Sequence, residues 1–280
     1  MTFPVPRAPA PTDAALLAGL AEAALAAGVV IRRIEAEGVT HRHKSDRSPV
    51  TEADHAAETS IVAALSHLLP GIPVVAEEAT AAGIEVTCGN RFVLVDPLDG
   101  TREFISGNGE YTVNIAVVED GAPVLGVVYA PARALLFAGR PGAAFRAIRA
   151  PGARVDAQDW TPIACRKVPE GPLVVAESRS HGDPATDALI ARHRVAERIP
   201  AGSALKFGLI AEGKADFYPR LGPVMEWDSA AGHALVVAAG GSVTRPDGSA
   251  LTYGHAEFGY MVHGFVAWGV GGPQRTEPAD

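Results

Sequence analysis

Asp96-Pro97-Leu98-Asp99-Gly100-Thr101 follows directly on the run Arg91-Phe92-Val93-Leu94-Val95. A strand that ends in two aspartates three apart, with Pro between them and Gly behind, makes a rigid acidic corner. Both carboxylates and the Leu98 carbonyl can point at one spot, and Gly100 lets backbone amides approach whatever sits there. Two carboxylates about 4 Å apart repel by about 4 kcal/mol at an effective dielectric of about 20. Something positive should therefore fill the site, and all-oxygen ligands favour magnesium, manganese or calcium. The plain alternative is an Asx-type turn after a strand.

Other acids stand at the ends of apolar elements in the same way. Pro73-Val74-Val75-Ala76 is a short buried strand ending on Glu77-Glu78, and Trp227-Asp228 opens an Ala-rich helix with Asp228 in its first turn. Asp54 is spaced from Thr51 as in a capping box, so its ordinary role is helix capping. A helix N-terminus is likewise an ordinary place for Asp228. Glu77, Asp96, Asp99 and Asp228 together suit two divalent cations. Two metals about 3.5–4 Å apart clamp the attacking and leaving oxygens of an in-line displacement at phosphorus. Water is then a sufficient nucleophile, with Thr101 to orient it and Asp54 as a proton acceptor.

The elements that must position these residues fall into two patterns. Thr12 caps a long helix with Leu17, Leu20, Ala24, Ile31 and Ile34 on one face, running to about Gly38. A second helix continues from Asp54 through Ala57, Ile61 and Leu65 to Pro70-Gly71. Tyr111–Glu119 and Pro123–Tyr129 read as strands joined at Asp120-Gly121, a hairpin signal, with further short strands at Ala134–Ala138 and Ala143–Ala147. Beyond Ala150-Pro151-Gly152 the pattern alternates. Strands at Leu173–Ala176, Val195–Ile199 and Asp216–Tyr218 enclose helices at Pro184–Arg192 and Ser203–Glu212. The expected class is α/β, with an α+β metal-binding half over residues 1–158 and an α/β substrate-binding half over 159–280. His41-Arg42-His43-Lys44-Ser45-Asp46-Arg47 reads as a mobile, solvated basic loop.

Composition bounds the function. At 280 residues and 48% apolar the chain can bury a substantial core, and its net charge of −8 argues against nucleic acid as the main partner. An anionic small substrate stays open, because bound metal reverses the local sign. Cys88 and Cys165 have no ligand or redox spacing, which suits a reducing compartment. No apolar stretch reaches ~18 residues without Gly or charge, and no signal-like segment opens the chain. The expectation is a cytoplasmic protein without a transmembrane segment.

Asp96–Thr101, Glu77-Glu78 and Trp227-Asp228-Ser229-Ala230-Ala231-Gly232 resemble the three signature motifs of the inositol monophosphatase superfamily. The likeness runs from the first helix to about Gly264 and is nearest to the superfamily's bacterial 3'(2'),5'-bisphosphate nucleotidase branch. It implies a layered αβαβα sandwich with the active site between the halves. It implies magnesium (Mg2+, two or three per site, with Mn2+ as a substitute) on Glu77, Asp96, the Leu98 carbonyl, Asp99 and Asp228. It also implies a Thr101–Asp54 pair that activates water with Glu77 beside it, and phosphate contacts from the Gly100 and Thr101 amides. Ser178-Arg179-Ser180-His181, Gly202-Ser203-Ala204-Leu205-Lys206-Phe207 and Tyr218-Pro219-Arg220 are similar to the nucleotide-holding segments, which points to Ser180, His181, Ser203, Lys206 and Arg220 as substrate contacts. Ala204 departs from the second serine usual there.

The implied reaction is hydrolysis of adenosine 3',5'-bisphosphate to AMP and phosphate, with 3'-phosphoadenylyl sulfate as a further substrate and a tie to sulfate assimilation. Alternatives on the same scaffold are an inositol or sugar monophosphatase and a non-catalytic regulator. A calcium-binding structural site would leave Thr101 and Gly100 without purpose. Arg220 favours a second phosphate, where inositol monophosphatases place an acid; its ordinary alternative is an ion pair with Glu226, and for Lys206 it is solvent. The resemblance allows a monomer or homodimer, and a peripheral place at the inner face of the cytoplasmic membrane, to which no amphipathic segment adds.

Overall fold

Phe92-Val93-Leu94-Val95 shows no polar alternation because both faces of its strand are covered. In the computed structural model, which describes residues 12–38, 41–43, 49–180 and 182–273, Phe92 and Leu94 pack to one side with Val118, Val128 and Phe137. Val93 and Val95 pack to the other with Ile115, Val117 and Val127.

The chain begins with helix α1 (Asp13–Glu37), the strands β1 (His41–His43) and β2 (Pro49–Thr51), helix α2 (Glu52–Leu68), strand β3 (Val74–Ala76) and the short helix α3 (Glu77–Ala81). Then come β4 (Arg91–Asp99), α4 (Thr101–Ile105), β5 (Thr112–Glu119), β6 (Ala122–Ala130), β7 (Leu135–Arg140), β8 (Ala143–Ile148) and β9 (Thr161–Ile163). The remainder is β10 (Leu173–Ser178), α5 (Pro184–Ile190), β11 (Val195–Ala201), α6 (Leu205–Ala211), β12 (Phe217–Arg220), β13 (Val224–Met225) and α7 (Glu226–Ala238). Strands β14 (Ser242–Thr244), β15 (Met261–Val262) and β16 (Phe265–Trp268) follow.

Strands β3 to β9 form a seven-stranded sheet in chain order, antiparallel except where β3 runs parallel to β4. A five-stranded sheet has the order β11-β10-β12-β16-β14, with β10 parallel to both neighbours and β16 antiparallel to its own. Helices α1 and α2 cover one face of the large sheet, α7 lies on its other face, and α6 and α7 fill the space between the sheets. Leu189 and Ile190 of α5 close the far face of the small sheet against Phe217, Val266 and Trp268. The layers read helix, sheet, helix, sheet, helix, as the α/β expectation has it.

The Ala-rich sequence of α7 follows from this sandwiched position. A β-carbon at Gly126 of β6 would run into the Ala231 backbone, and one at Gly232 would run into the Phe207 ring. Small residues on both sides let the helix that carries Asp228 lie directly against the sheet that carries Asp96. Helix α1 is long and apolar enough to cross a membrane by length and composition. Here Leu16, Leu20, Ala24, Leu25 and Ile31 are buried in the fold, so its apolar face has a core to cover.

Several boundaries differ from expectation. β4 does not stop at Val95 but continues to Asp99 through a bulge between Asp96 and Asp99. His41–His43, expected within a loop, pairs antiparallel with Pro49–Thr51, while residues 44–47 lie outside the described residues. The helix expected from Ser203 begins at Leu205, because Ser203 has φ 50°. Strands β13 to β16 escape periodicity because each has only two to four residues.

Candidate active site

Each acid is placed by its own local device. Asp96 and Asp99 sit on either side of the β4 bulge: Asp96 pairs with Asn114 and Asp99 with Thr112, and the Leu98 amide donates to Asp96 Oδ1 at 3.0 Å. Gly100 then takes φ 89°, ψ 48°, turning the chain directly into α4. Asp228 is the third residue of α7 and accepts from the Met225 amide at 2.9 Å. Glu77 is the first residue of α3. The orientation of α3 comes from α2, where Glu58 accepts from the Glu78 amide at 2.7 Å and the Ala79 amide at 2.9 Å. These are orphan donors of a helix start, met by a carboxylate that favours the positive end.

The two readings of Asp54 prove compatible. Its Oδ2 accepts from the Thr51 amide at 2.8 Å and the Thr51 hydroxyl at 2.7 Å, completing a capping box. Its Oδ1 faces Thr101, whose Oγ1 donates at 3.4 Å. One oxygen starts the helix while the other meets the residue after the acidic corner.

These elements surround a cavity of about 250 Å³. Its lining joins Glu77, Asp99 and Asp228, with Gly100, Thr101, Arg102 and Glu103 from the corner and the helix after it, to Ser203, Lys206 and Arg220 with Phe207, Tyr218 and Phe265. Asp96 and Asp54 lie just beneath, each 1% exposed. Burial and mutual repulsion push the acids up. Asp96 lies well above the usual carboxylate range because it is withdrawn from water and faces Glu77, Asp99 and Asp228. Asp228 is raised to about 8 by burial and then by Asp99 and Glu77, and its carboxyl is hydrogen-bonded to that of Asp96. Asp99 is raised to about 6 by burial, with Lys206 and Asn114 pulling the other way.

Among the described residues, none of Asp96, Asp99 and Asp228 has a Lys or Arg ion-pair partner, and no three His, Cys, Asp or Glu side chains are placed so that they could together hold a metal ion as they stand. The acids form an open cluster, and its chemistry is what fits a cation. Buried acids that repel one another and present only oxygen donors are the arrangement a hard divalent cation relieves.

The cationic part of the lining differs from simple expectation. Lys206 is buried rather than solvent-facing, at 4% exposure. Its Nζ donates to the Ser203 carbonyl at 2.6 Å and the Ala201 carbonyl at 3.2 Å, over the Tyr218 ring at 5.3 Å. Burial lowers its amine to about 8, with Asp99 acting to raise it. Glu226 is not an ion-pair partner of Arg220: its carboxylate is taken by the Gly254 and His255 amides at 2.6 and 2.9 Å. Arg220 lies instead beside Asp183, whose acid it helps to lower. Ser203 Oγ is committed to the carbonyls of Asp99 and Glu110 at 2.7 and 2.8 Å. Ser180 does not line the cavity, since its hydroxyl donates to Glu103 Oε1, and Ser178 lines it instead. His181 lies outside the described residues.

Sequence reading passed over Glu58, and took in Arg102, Glu103 and Tyr218 only as parts of motif stretches, with no role given to their side chains. Arg102 and Glu103 line the cavity from the first turn of α4, and their positions after Gly100-Thr101 were the available signal. Glu58 had a weaker one: a carboxylate one turn after Asp54, on a face otherwise apolar.

The inositol monophosphatase family profile matches residues 13–269. The 3'(2'),5'-bisphosphate nucleotidase CysQ of Salmonella typhimurium is 44% identical over 218 residues, covering 78% of this chain and 85% of that protein. CysQ of Escherichia coli K12 is 43% identical over 210 residues, 75% and 81% of the two chains. The crystal structure of CysQ from Bacteroides thetaiotaomicron superposes with a TM-score of 0.75 at 34% identity, covering 90% of this chain and 96% of that one. The inositol monophosphatase of Anabaena gives 0.70 at 25% identity, with 91% and 90% covered. With a family profile spanning nearly all of the described fold, and relatives above 40% identity across most of their own length, the chain belongs to the inositol monophosphatase family.

Proposed function

We propose that the protein is a metal-dependent 3'(2'),5'-bisphosphate nucleotidase that hydrolyses adenosine 3',5'-bisphosphate to AMP and phosphate, with 3'-phosphoadenylyl sulfate as a related substrate. Members of its family are metal-dependent, and the curated relatives are nucleotidases of this name. The observation that carries the reading is one cavity lined both by the carboxylates Glu77, Asp99 and Asp228 and by the cations Lys206 and Arg220. A monophosphate needs only the acids. A substrate with two phosphates uses both, one against the acids and one against the cations.

In this reading Glu77, Asp96, the Leu98 carbonyl, Asp99 and Asp228 hold magnesium. Divalent cations there supply the positive charge that phosphoryl transfer to water requires. The chain's own groups do the rest. Thr101 Oγ1 orients the attacking water and passes a proton towards Asp54 Oδ1, 3.4 Å away. Asp54, raised to about 6 by burial, is ionised at neutral pH and close enough to it to act as an acceptor. The Gly100 and Thr101 amides face the phosphate at a helix start that no side chain caps. Lys206 holds the turn before it rigid through the Ser203 and Ala201 carbonyls, and Arg220 meets the second phosphate. A nucleotide substrate and two free cysteines fit a cytoplasmic enzyme.

The test is magnesium-dependent phosphate release from adenosine 3',5'-bisphosphate, inositol 1-phosphate and fructose 1,6-bisphosphate, with Arg220→Ala in parallel. A nucleotide preference lost in the variant is the expected result. Preference for a sugar phosphate would overturn the substrate while leaving the phosphatase chemistry, and release from no ester would favour a regulator.

A further inference from the structure

Glu110 stands in the connection between α4 and β5, and its side chain crosses to the other half of the molecule. Although only 4% exposed, its carboxylate accepts from three separate segments. Arg133 Nη2 donates at 2.7 Å, Arg179 donates through Nε at 2.7 Å and Nη2 at 2.9 Å, and the Gly202 amide donates at 2.8 Å. The Glu110 carbonyl joins in, sharing the Ser203 hydroxyl proton with the Asp99 carbonyl. Arg179 extends the grip, its Nη2 reaching the Pro200 carbonyl at 2.8 Å and its amide the Ala201 carbonyl at 3.3 Å. Lys206 takes the Ala201 and Ser203 carbonyls from the other side. The approach is tight, since a β-carbon at Gly202 would lie 2.7 Å from Glu110 Cβ and 3.0 Å from Glu103 Cγ.

The turn that brings Ser203 and Lys206 to the cavity, just beyond the β10–β11 ladder, is thus tied at Gly202 to one carboxylate and at Ser203 to the carbonyl of the same residue. Burial pushes that carboxylate up, but the bonds from Arg179 and Gly202 and the charges of the two arginines more than offset it, so it stays ionised. A paired charge of this kind fixes geometry because its arginine partner has a rigid two-point fork.

We infer that Glu110 is a positioning residue: with Arg179 it latches the Gly202–Lys206 turn against the Asp99–Gly100 corner, and so sets how tightly the enzyme holds the part of the substrate remote from the reacting phosphate. This rests on the bisphosphate nucleotidase reading, and it separates Arg179 from the cations that meet substrate. Arg179 is spent on Glu110, and its role is to hold the turn.

The experiment compares Glu110→Gln and Arg179→Gln with the wild type on adenosine 3',5'-bisphosphate and on glycerol 2-phosphate, whose single phosphate engages only the acids. In both variants KM for the nucleotide should rise about tenfold or more with kcat within about threefold, while kcat/KM for glycerol 2-phosphate stays within about twofold. In Arg179→Gln the buried Glu110 keeps Arg133 and the Gly202 amide as partners, so this variant tests the latch even if loss of the buried charge unfolds Glu110→Gln. Equal losses on the two substrates would reduce the latch to general support of the fold, and an unchanged nucleotide KM would remove it; either overturns the inference. A wild type that turns over glycerol 2-phosphate but not the nucleotide would instead sink the functional reading.

Discussion

Gly100 is the point at which backbone conformation, packing and the acidic corner meet, and Gly100→Ala tests all three. At φ 89° it occupies a region in which an L-residue costs about 1–2 kcal/mol. A β-carbon there would drive into Ser203 Oγ and come within 3.2 Å of Glu103 Oε2. Ser203 cannot retreat freely, because its hydroxyl is held by the Asp99 and Glu110 carbonyls. Giving up that shared hydrogen bond costs about 1 kcal/mol more, for a total of about 2–3 kcal/mol. In a protein of this size that lowers the melting temperature by about 4–12 °C. Displacing the corner by about 1 Å would lower phosphate release about a hundredfold. Urea unfolding followed by circular dichroism reads the first effect, and magnesium-dependent phosphate release reads the second. Adding Ser203→Ala supplies the control: it removes the obstructing hydroxyl, so the double variant should be less destabilised than the sum of the singles. Wild-type stability and activity in Gly100→Ala, or strict additivity with Ser203→Ala, would refute the argument.

Three further outcomes follow from buried polar groups. Glu58→Gln leaves the first amides of α3 without their carboxylate and so loosens Glu77; the magnesium concentration for half-maximal phosphate release should rise about tenfold or more, and an unchanged requirement would show that Glu77 is held by other means. Arg166→Ala strips the fully buried Asp216 of its two-point partner at 2.7 Å; the loss should be about 3–5 kcal/mol by urea unfolding, and a loss below about 1 kcal/mol would contradict it. Burial lowers His233 from 6.5 to about 4, so between those values the unfolded chain binds the extra proton. Stability from this group is complete above about pH 6.5 and falls by about 3 kcal/mol as pH drops to 4. His233→Gln should flatten that part of the profile, and an unchanged slope would place its cause elsewhere.

Asp54, Asp96 and Asp228 were legible in the chain because each is placed by interactions a few residues long. Asp54 and Thr51 are three apart, as are Asp228 and Met225, and Asp96 reaches the amide of Leu98. Strand β4 was legible too, since a run apolar on both faces must be covered on both faces. Spacing alone carries that much, because capping, turn geometry and periodicity are all local. Lys206, by contrast, reads as a helix cation for substrate or for solvent, and only the packing of α6 between two sheets turns its amine inward onto the carbonyls at 201 and 203. Glu110 meets Arg179 across 69 residues and Gly202 across 92, and Glu58 meets Glu78 across 20. Nothing local distinguishes Glu110 from carboxylates exposed to water, and Glu58 is marked only by its place on an apolar helix face. Their roles are set by which surfaces the fold brings together, and a buried charge is tolerated only where that encounter supplies its partners.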